Sequence, residues 1–214
     1  MSKEMREQID RVKNWKQFLN EQKQILLAPN GNVSNLPKNL YEYVRTEEFK
    51  KWFGDWENDP KNASKVIDEN GEPMLVFHGT EKTFQDFDNK QLRFNYFYFA
   101  INKGYAGRFG ENVKGCFLNA RKIKDAKEAG VGKITVPKLF KILGFKVESF
   151  IYTHQYKNIK DKFWQYLRVS DEIHRNLKWR GYDCVNFFED YTEDGYDETE
   201  VFAVFNSNQI KCVG

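Results

Sequence analysis

The spacing of apolar positions alternates between helical and extended periods along this chain. Between Ser2 and about Leu27, Met5, Ile9, Val12 and Phe18, with Trp15, recur at three- and four-residue intervals among charges, which predicts an amphipathic helix. The breaker cluster Pro29-Asn30-Gly31 ends it. The polar stretch through Pro37 then separates a helical N-terminal extension, residues 1–40, from a body spanning residues 41–214. Helical spacing resumes from Tyr41 to Trp56, where Val44, Phe49, Trp52 and Phe53 form an apolar face closed by Gly54.

The next signals are strand-like. Asp68-Glu69-Asn70-Gly71-Glu72-Pro73 has turn chemistry and leads into the apolar run Met74-Leu75-Val76-Phe77-His78, a buried strand. Phe94 to Ala100 predicts a second strand, and Asn102 to Phe109 a short helix. Weaker strands are expected at Cys116-Phe117-Leu118 and Lys133-Ile134-Thr135-Val136, a helix over Lys138–Leu143, and a strand over Phe145–Tyr152. Lys160 to Trp179 predicts one long helix that turns Phe163, Trp164, Leu167, Ile173 and Leu177 inward and stops at Arg180-Gly181. The final strands, Asp183–Phe188 and Glu200–Phe205, bracket an acidic loop from Glu189 to Glu198. Short strands with helices between them, lacking regular βαβ alternation, give an α+β class.

Composition narrows the function. At 214 residues the chain builds one well-buried domain. A net charge of +3 is too small to argue for nucleic acid, and a mixed-charge surface accounts for it. No segment approaches the roughly 20 apolar residues that span a bilayer, and Met1–Arg6 lacks the apolar core of a secretory signal. A cytoplasmic location without membrane attachment is therefore expected. Cys116, Cys184 and Cys212 are odd in number and widely spaced, so they read as reduced thiols. His154 and His174 lack ligand-like spacing, so no metal is expected. A serine-nucleophile elbow is absent. The basic and aromatic residues of 156–168 read as the wet side of an amphipathic helix before they read as a nucleic-acid contact.

Three strings carry the chemistry: Phe77-His78-Gly79-Thr80, Tyr98-Phe99-Ala100, and Glu200 before Val201-Phe202-Ala203-Val204-Phe205. Taken singly, each has a plain structural reading. His78 is a core histidine, Tyr98 a core strand residue, and Glu200 a solvated strand end. Together they supply an imidazole, a phenol and a carboxylate. Gly79 lets backbone approach a ligand, Thr80 adds a hydroxyl, and the imidazole is placed to donate to a ribose hydroxyl. Period-two geometry puts Tyr96, Tyr98 and Ala100 on one face, with Phe97 and Phe99 on the other. The Tyr98 ring then stacks on a nicotinamide, and Phe109 or Tyr105 closes the other side. Glu200 supports positive charge as nicotinamide leaves, and Glu198 shares its face, two residues earlier.

In this order the strings resemble the ADP-ribosyltransferases with a His-Tyr-Glu signature, as in poly(ADP-ribose) polymerases and diphtheria-like toxins. The resemblance is strongest to the small transferase domains of phage and mobile-element polyvalent proteins. It is carried by the lead-in Val44 to Trp56, by Asp68 to Pro73 with His78-Gly79-Thr80, and by Val204-Phe205-Asn206-Ser207-Asn208-Gln209-Ile210-Lys211, and covers about residues 41–214. It implies two small packed sheets flanked by helices, and NAD as substrate in an open cleft without a metal. By that resemblance His78, Gly79, Thr80, Tyr98, Phe99 and Phe109 hold NAD. His78 grips the nicotinamide ribose, Gly79 reads the carboxamide, Glu200 is the catalytic acid and Glu198 stands on the acceptor side.

The implied reaction moves ADP-ribose to a macromolecular acceptor, protein or nucleic acid, and the small chain, without evident additional regulatory domains, favours single-unit transfer over polymer synthesis. The implied setting is a phage effector or toxin in a host cytoplasm, with a neutralising partner as companion. Three alternatives share the cleft: an NAD glycohydrolase, an RNA 2′-phosphotransferase that needs additional Arg or Lys there, and an inactive binding module. Registering the tail on Phe205 puts Val201 at the family's glutamate position. Glu200 reaches that position only through a one-residue shift, which turns a side chain to the other face of a sheet.

Overall fold

The apolar runs assemble into one sheet of seven strands, in the order β4-β7-β8-β2-β1-β3-β9. The computed structural model describes residues 5–6, 25–92, 95–145, 161–190 and 198–213. The strands are β1 (Val76–Thr80), β2 (Phe97–Ala100), β3 (Asn112–Leu118), β4 (Ile123–Asp125), β7 (Cys184–Asp190), β8 (Glu198–Val204) and β9 (Ile210–Val213), and a separate pair is formed by β5 (Lys133–Ile134) and β6 (Asp161–Lys162). Neighbours in the large sheet run antiparallel, except that β4 lies parallel to β7. Among the described residues the α-helices are α1 (Lys38–Val44), α2 (Glu47–Phe53), α3 (Lys103–Gly107), α4 (Val136–Leu143), α5 (Phe163–Val169) and α6 (Asp171–Trp179). The α+β class holds.

Alternation along the strands sorts two cores. Val185, Phe187, Val201 and Ala203 meet Leu139, Leu143, Phe163, Leu167, Ile173 and Leu177 from α4, α5 and α6 on one face. Val76, Phe97, Phe99, Cys184, Phe202 and Val204 fill the other. A third cluster gathers Val44, Phe49, Phe53 and Trp56 of the α1–α2 segment around Phe117 of β3, with Phe49 edge-on to it at 5.2 Å.

Polar caps cut two expected helices in half. The helix expected over residues 41–56 breaks at Arg45-Thr46, because the Thr46 hydroxyl accepts from the Phe49 N–H at 3.3 Å and starts α2 afresh. The helix expected over 160–179 breaks at Ser170, whose hydroxyl accepts from the Ile173 N–H at 3.2 Å to begin α6. Strands β4 and β9 were not expected; both are short edge strands whose pairing comes entirely from distant neighbours. The expected N-terminal helix lies mostly outside the described residues. Its last residues, from Ile25, are not helical, and Leu27 bridges to Val33 across the Pro29-Asn30-Gly31 turn. Residues 146–152 of the strand expected from Phe145, and residues 191–197 of the acidic loop, also lie outside the described residues.

The expectation of three reduced cysteines is corrected. Cys116 of β3 and Cys212 of β9 stand opposite each other in the ladder and are joined as a disulfide, while Cys184 is a buried free thiol. A separation of 96 residues hid that pairing from any local spacing rule.

The sequence motifs at the two ends turn out to fasten the fold. Glu72, whose side chain is fully buried, accepts from Nη2 and Nη1 of Arg45 at 2.7 and 3.2 Å, and that guanidinium lies 3.5 Å over the Tyr41 ring. Gln209 accepts from the Phe205 and Asn206 N–H groups at 3.0 and 2.9 Å and donates to the Asn119 and Asp183 carbonyls at 3.1 and 2.9 Å. One buried amide thus satisfies four backbone groups on three chain segments. Arg45→Ala leaves Glu72 charged and uncompensated in the interior, and should cost about 3–5 kcal/mol of stability. Urea unfolding of the variant reads this, and a loss under 1 kcal/mol would refute the role given to the pair.

Candidate active site

Strands β1 and β2 share a single register pair, Phe77 with Ala100, and the ladder does not continue past it. The gap is bridged by a side chain instead: His78 Nδ1 lies 2.8 Å from the Tyr98 carbonyl. A carbonyl only accepts, so Nδ1 carries the hydrogen and Nε2 of the neutral ring is an acceptor. Burial lowers the His78 pKa, outweighing the opposing bond to Tyr98, and Lys114 lowers it further. The free ring nitrogen of the neutral imidazole is therefore set to accept a hydrogen bond, where the sequence suggests a donor. Rings of Phe87, Phe99 and Phe84 surround it at 5.0, 5.4 and 6.3 Å.

Helix α3 roofs the opening. The Asn102 side chain caps it by accepting from the Tyr105 N–H at 3.0 Å. Its backbone presses onto β1 so closely that a Cβ on Gly79 would lie 1.7 Å from the Ala106 carbonyl oxygen. Gly110, at φ +144°, would similarly meet the Thr80 backbone at 2.0 Å. The sequence reading assigned Gly79 to the approach of a ligand; here the approaching backbone is that of α3.

The result is a cleft of about 620 Å³ between β1, β2, α3 and the start of α5. It is lined by six of the expected residues, His78, Gly79, Tyr98, Phe99, Tyr105 and Phe109. Thr80 does not line it; its hydroxyl accepts from the Lys82 N–H at 3.1 Å in a local turn. Glu200 does not line it either. Strand β8 pairs with β7 in unbroken register from Glu198 to Val204, without a bulge, so Val201 takes the cleft face opposite Ala100 and Phe187. Glu200 falls on the reverse face, paired with Lys127 at 2.8 Å. Glu198 shares that face by alternation and is exposed. The carboxylate expected from β8 is thus absent from the cleft, for a reason of parity: one residue of offset is one change of face.

Other groups, not expected there, also stand in the cleft: Arg108, Lys162, Trp164, Arg168, Glu189 and Asp190. Glu189 ends the run Val185, Phe187, Glu189, which period two keeps on one face, and that alternation was the signal available in the sequence. The Tyr105 hydroxyl donates to Glu189, and Lys162 pairs with Asp190. Burial pushes the Glu189 carboxyl up to about 7, against the counteracting Tyr105 bond and the Lys162 charge. Burial, then the Glu189 charge, raises the Tyr98 phenol; its hydroxyl is buried and without a hydrogen-bond partner among the described residues. The Arg168 guanidinium lies 5.9 Å from the Trp164 ring centre, and that of Arg108 5.8 Å from Tyr105. Aromatic rings, an imidazole acceptor, three cations and two carboxyl groups therefore face one space. Among the described residues no group of three or more His, Cys, Asp or Glu could hold a metal ion.

Comparison with known proteins places the chain in a family. The family described as ADP-Ribosyltransferase in polyvalent proteins matches residues 68–214. The chain belongs to that family. It carries an ADP-ribosyltransferase domain. No curated protein matches the chain. A crystal structure of an anti-CRISPR protein aligns over 65% of this chain and 95% of its own, at 16% identity and a TM-score of 0.37. Among the described residues, no helix is long and apolar enough to cross a membrane.

Two measurements test this geometry. Gly79→Ala must displace α3 and with it Tyr105 and Arg108, so it should lower stability by about 1–3 kcal/mol in a thermal melt; an unchanged melt would contradict the packing. Glu189 gives a pH signature. The folded carboxyl holds its proton to about 7 while an unfolded one releases it near its ordinary 4.5. Its stabilising contribution is therefore full below that lower value and is lost as pH rises through the upper one. Chemical unfolding at pH 5 and pH 8 should show this loss in wild type and not in Glu189→Gln, whose amide still accepts from Tyr105.

Proposed function

We propose that this transferase domain binds NAD in the β1–β2 cleft and transfers ADP-ribose to a macromolecular acceptor. The observation that carries the reading is that His78, Gly79, Tyr98 and Phe109 line the same space as Arg108, Lys162 and Arg168. The first set suits a nicotinamide riboside: aromatic faces for the ring, a glycine backbone for the carboxamide, and Nε2 of His78 to accept from a ribose hydroxyl. The cations suit the diphosphate. A volume of about 620 Å³ lies within the range usual for small-molecule sites, about 300–1,000 Å³.

The reaction breaks the bond between ribose C1′ and the nicotinamide ring nitrogen. The electron pair leaves with the ring, cancelling its positive charge, and a cationic sugar develops at C1′. An acceptor nucleophile attacks that carbon and gives up a proton. His78 orients the ribose, while Tyr98 and the apolar wall exclude water from the departing face. The polyvalent-protein resemblance supports an effector role in a host cytoplasm, and single-unit transfer to a protein or nucleic acid is part of the same proposal.

A second reading has an observation of its own. Val201 stands at the strand position expected of the glutamate, and the cations required of an RNA 2′-phosphotransferase are present. That enzyme would bind a 2′-phosphorylated oligonucleotide along the same rim.

Calorimetry with NAD and labelled NAD incubated in cell lysate test both. Wild type should bind NAD, release nicotinamide and leave label on a macromolecule. Tyr98→Ala should weaken binding by about 1–3 kcal/mol through lost stacking. Arg168→Gln should weaken NAD and leave nicotinamide riboside unaffected. Nicotinamide release that requires a 2′-phosphorylated RNA, with the label recovered in a small phosphorylated ADP-ribose, would favour the second reading, and unchanged NAD in every lysate would refute both.

A further inference from the structure

We propose that Glu189 of β7, held by the Tyr105 phenol, is the carboxylate that supports the ribosyl cation and takes the acceptor's proton, in place of the β8 position occupied by Val201. The inference rests on the ADP-ribosyl transfer reading above.

Three features of the cleft lead to it. Glu189 and Asp190 are the carboxyl groups that line it among the described residues, and Asp190 is occupied by Lys162. Glu189 projects from the face that bears Val201 and Tyr98. The register sets Phe187 opposite Val201 and Glu189 opposite Thr199, so Glu189 is the diagonal neighbour of Val201 across the β7–β8 ladder. Diagonal neighbours in an antiparallel pair lie about 7–8 Å apart, within reach of a long side chain. A glutamate on β7 can therefore deliver its carboxyl toward the place a glutamate at position 201 would have served. Finally, the Tyr105 hydroxyl donates to it, which fixes the carboxylate and stabilises its charged form.

The step balances as follows. As the C1′–N bond breaks, its electron pair goes to the nicotinamide nitrogen and the Glu189 carboxylate faces the positive sugar. The acceptor X–H forms the C1′–X bond, its proton passes to Glu189 and then to solvent. Nicotinamide, the ADP-ribosylated acceptor and one proton result.

Only the ionised form can serve, and the groups facing it bear on its titration: Tyr105 and Arg108 from the α3 side, Lys162 from the start of α5, and Asp190 beside it. With its carboxyl titrating at about 7, wild-type turnover should climb as pH rises through neutrality.

The test is nicotinamide release at saturating NAD from pH 5.5 to 8.5, with NAD affinity measured by calorimetry on the same samples. Glu189→Gln should lose roughly 100- to 1,000-fold in rate, with an affinity within about three-fold of wild type and a flat pH profile. Tyr105→Phe should retain more activity and shift the profile's midpoint to higher pH, because the charged carboxylate loses a donor. Glu200→Gln should stay within about two-fold of wild type. If Glu189→Gln, folded by its melt, turns over like wild type, or if Glu200→Gln loses the rate instead, the assignment is overturned while NAD cleavage stands. A wild-type protein that neither binds nor cleaves NAD overturns the parent reading, and this one with it.

Discussion

The separation of β1 from β2 is the constraint on which the site depends. An antiparallel ladder that continued past Phe77 and Ala100 would close the backbone edges on each other and leave no cleft. The strands are held apart without being left unsatisfied, because the His78 ring supplies a donor to the Tyr98 carbonyl. Helix α3 then wedges its backbone against Gly79, where any side chain would collide with Ala106. A histidine and a glycine in sequence thus do two things each. They hold the sheet open, and they present an imidazole acceptor and a narrow strand to the space created.

The cleft gains its electrostatic character from segments distant in sequence. Arg108 follows α3, Lys162 precedes α5, Arg168 lies in its last turn, and Glu189 stands near the end of β7. Burial gives these charges their leverage, since an ion pair or a carboxyl removed from water interacts more strongly with whatever else is inside. Glu189 is raised toward neutrality by that burial even though Tyr105 and Lys162 pull the other way. In the same way the paired Arg45 and Glu72, and the amide of Gln209, are fixed where the fold can least tolerate an unpartnered polar group.

The strands bearing His78 and Tyr98 were legible in the sequence because each is a dense apolar run bounded by turn chemistry, and such runs have little choice but burial. Their convergence followed from the family resemblance. Two long helices misread from periodicity alone show where local pattern stops. Thr46 and Ser170 each continue an apolar spacing, yet their hydroxyls bond the backbone ahead and restart the helix. Glu200 shows another stop. It lies on the strand that borders the cleft, but a strand has two faces, and which one a residue takes is settled by pairing with β2 and β7.

The sequence by itself determined the class of fold, the turn-bounded strands, the aromatic character of the pocket and the imidazole at its mouth, since those rest on local hydrophobicity and on short-range backbone preference. Only the tertiary structure decided which carboxyl group enters the cleft, which cations meet it, and that Cys116 and Cys212 join. Register between strands fixes such matters, and register is a property of two segments at once. No single stretch of chain contains it.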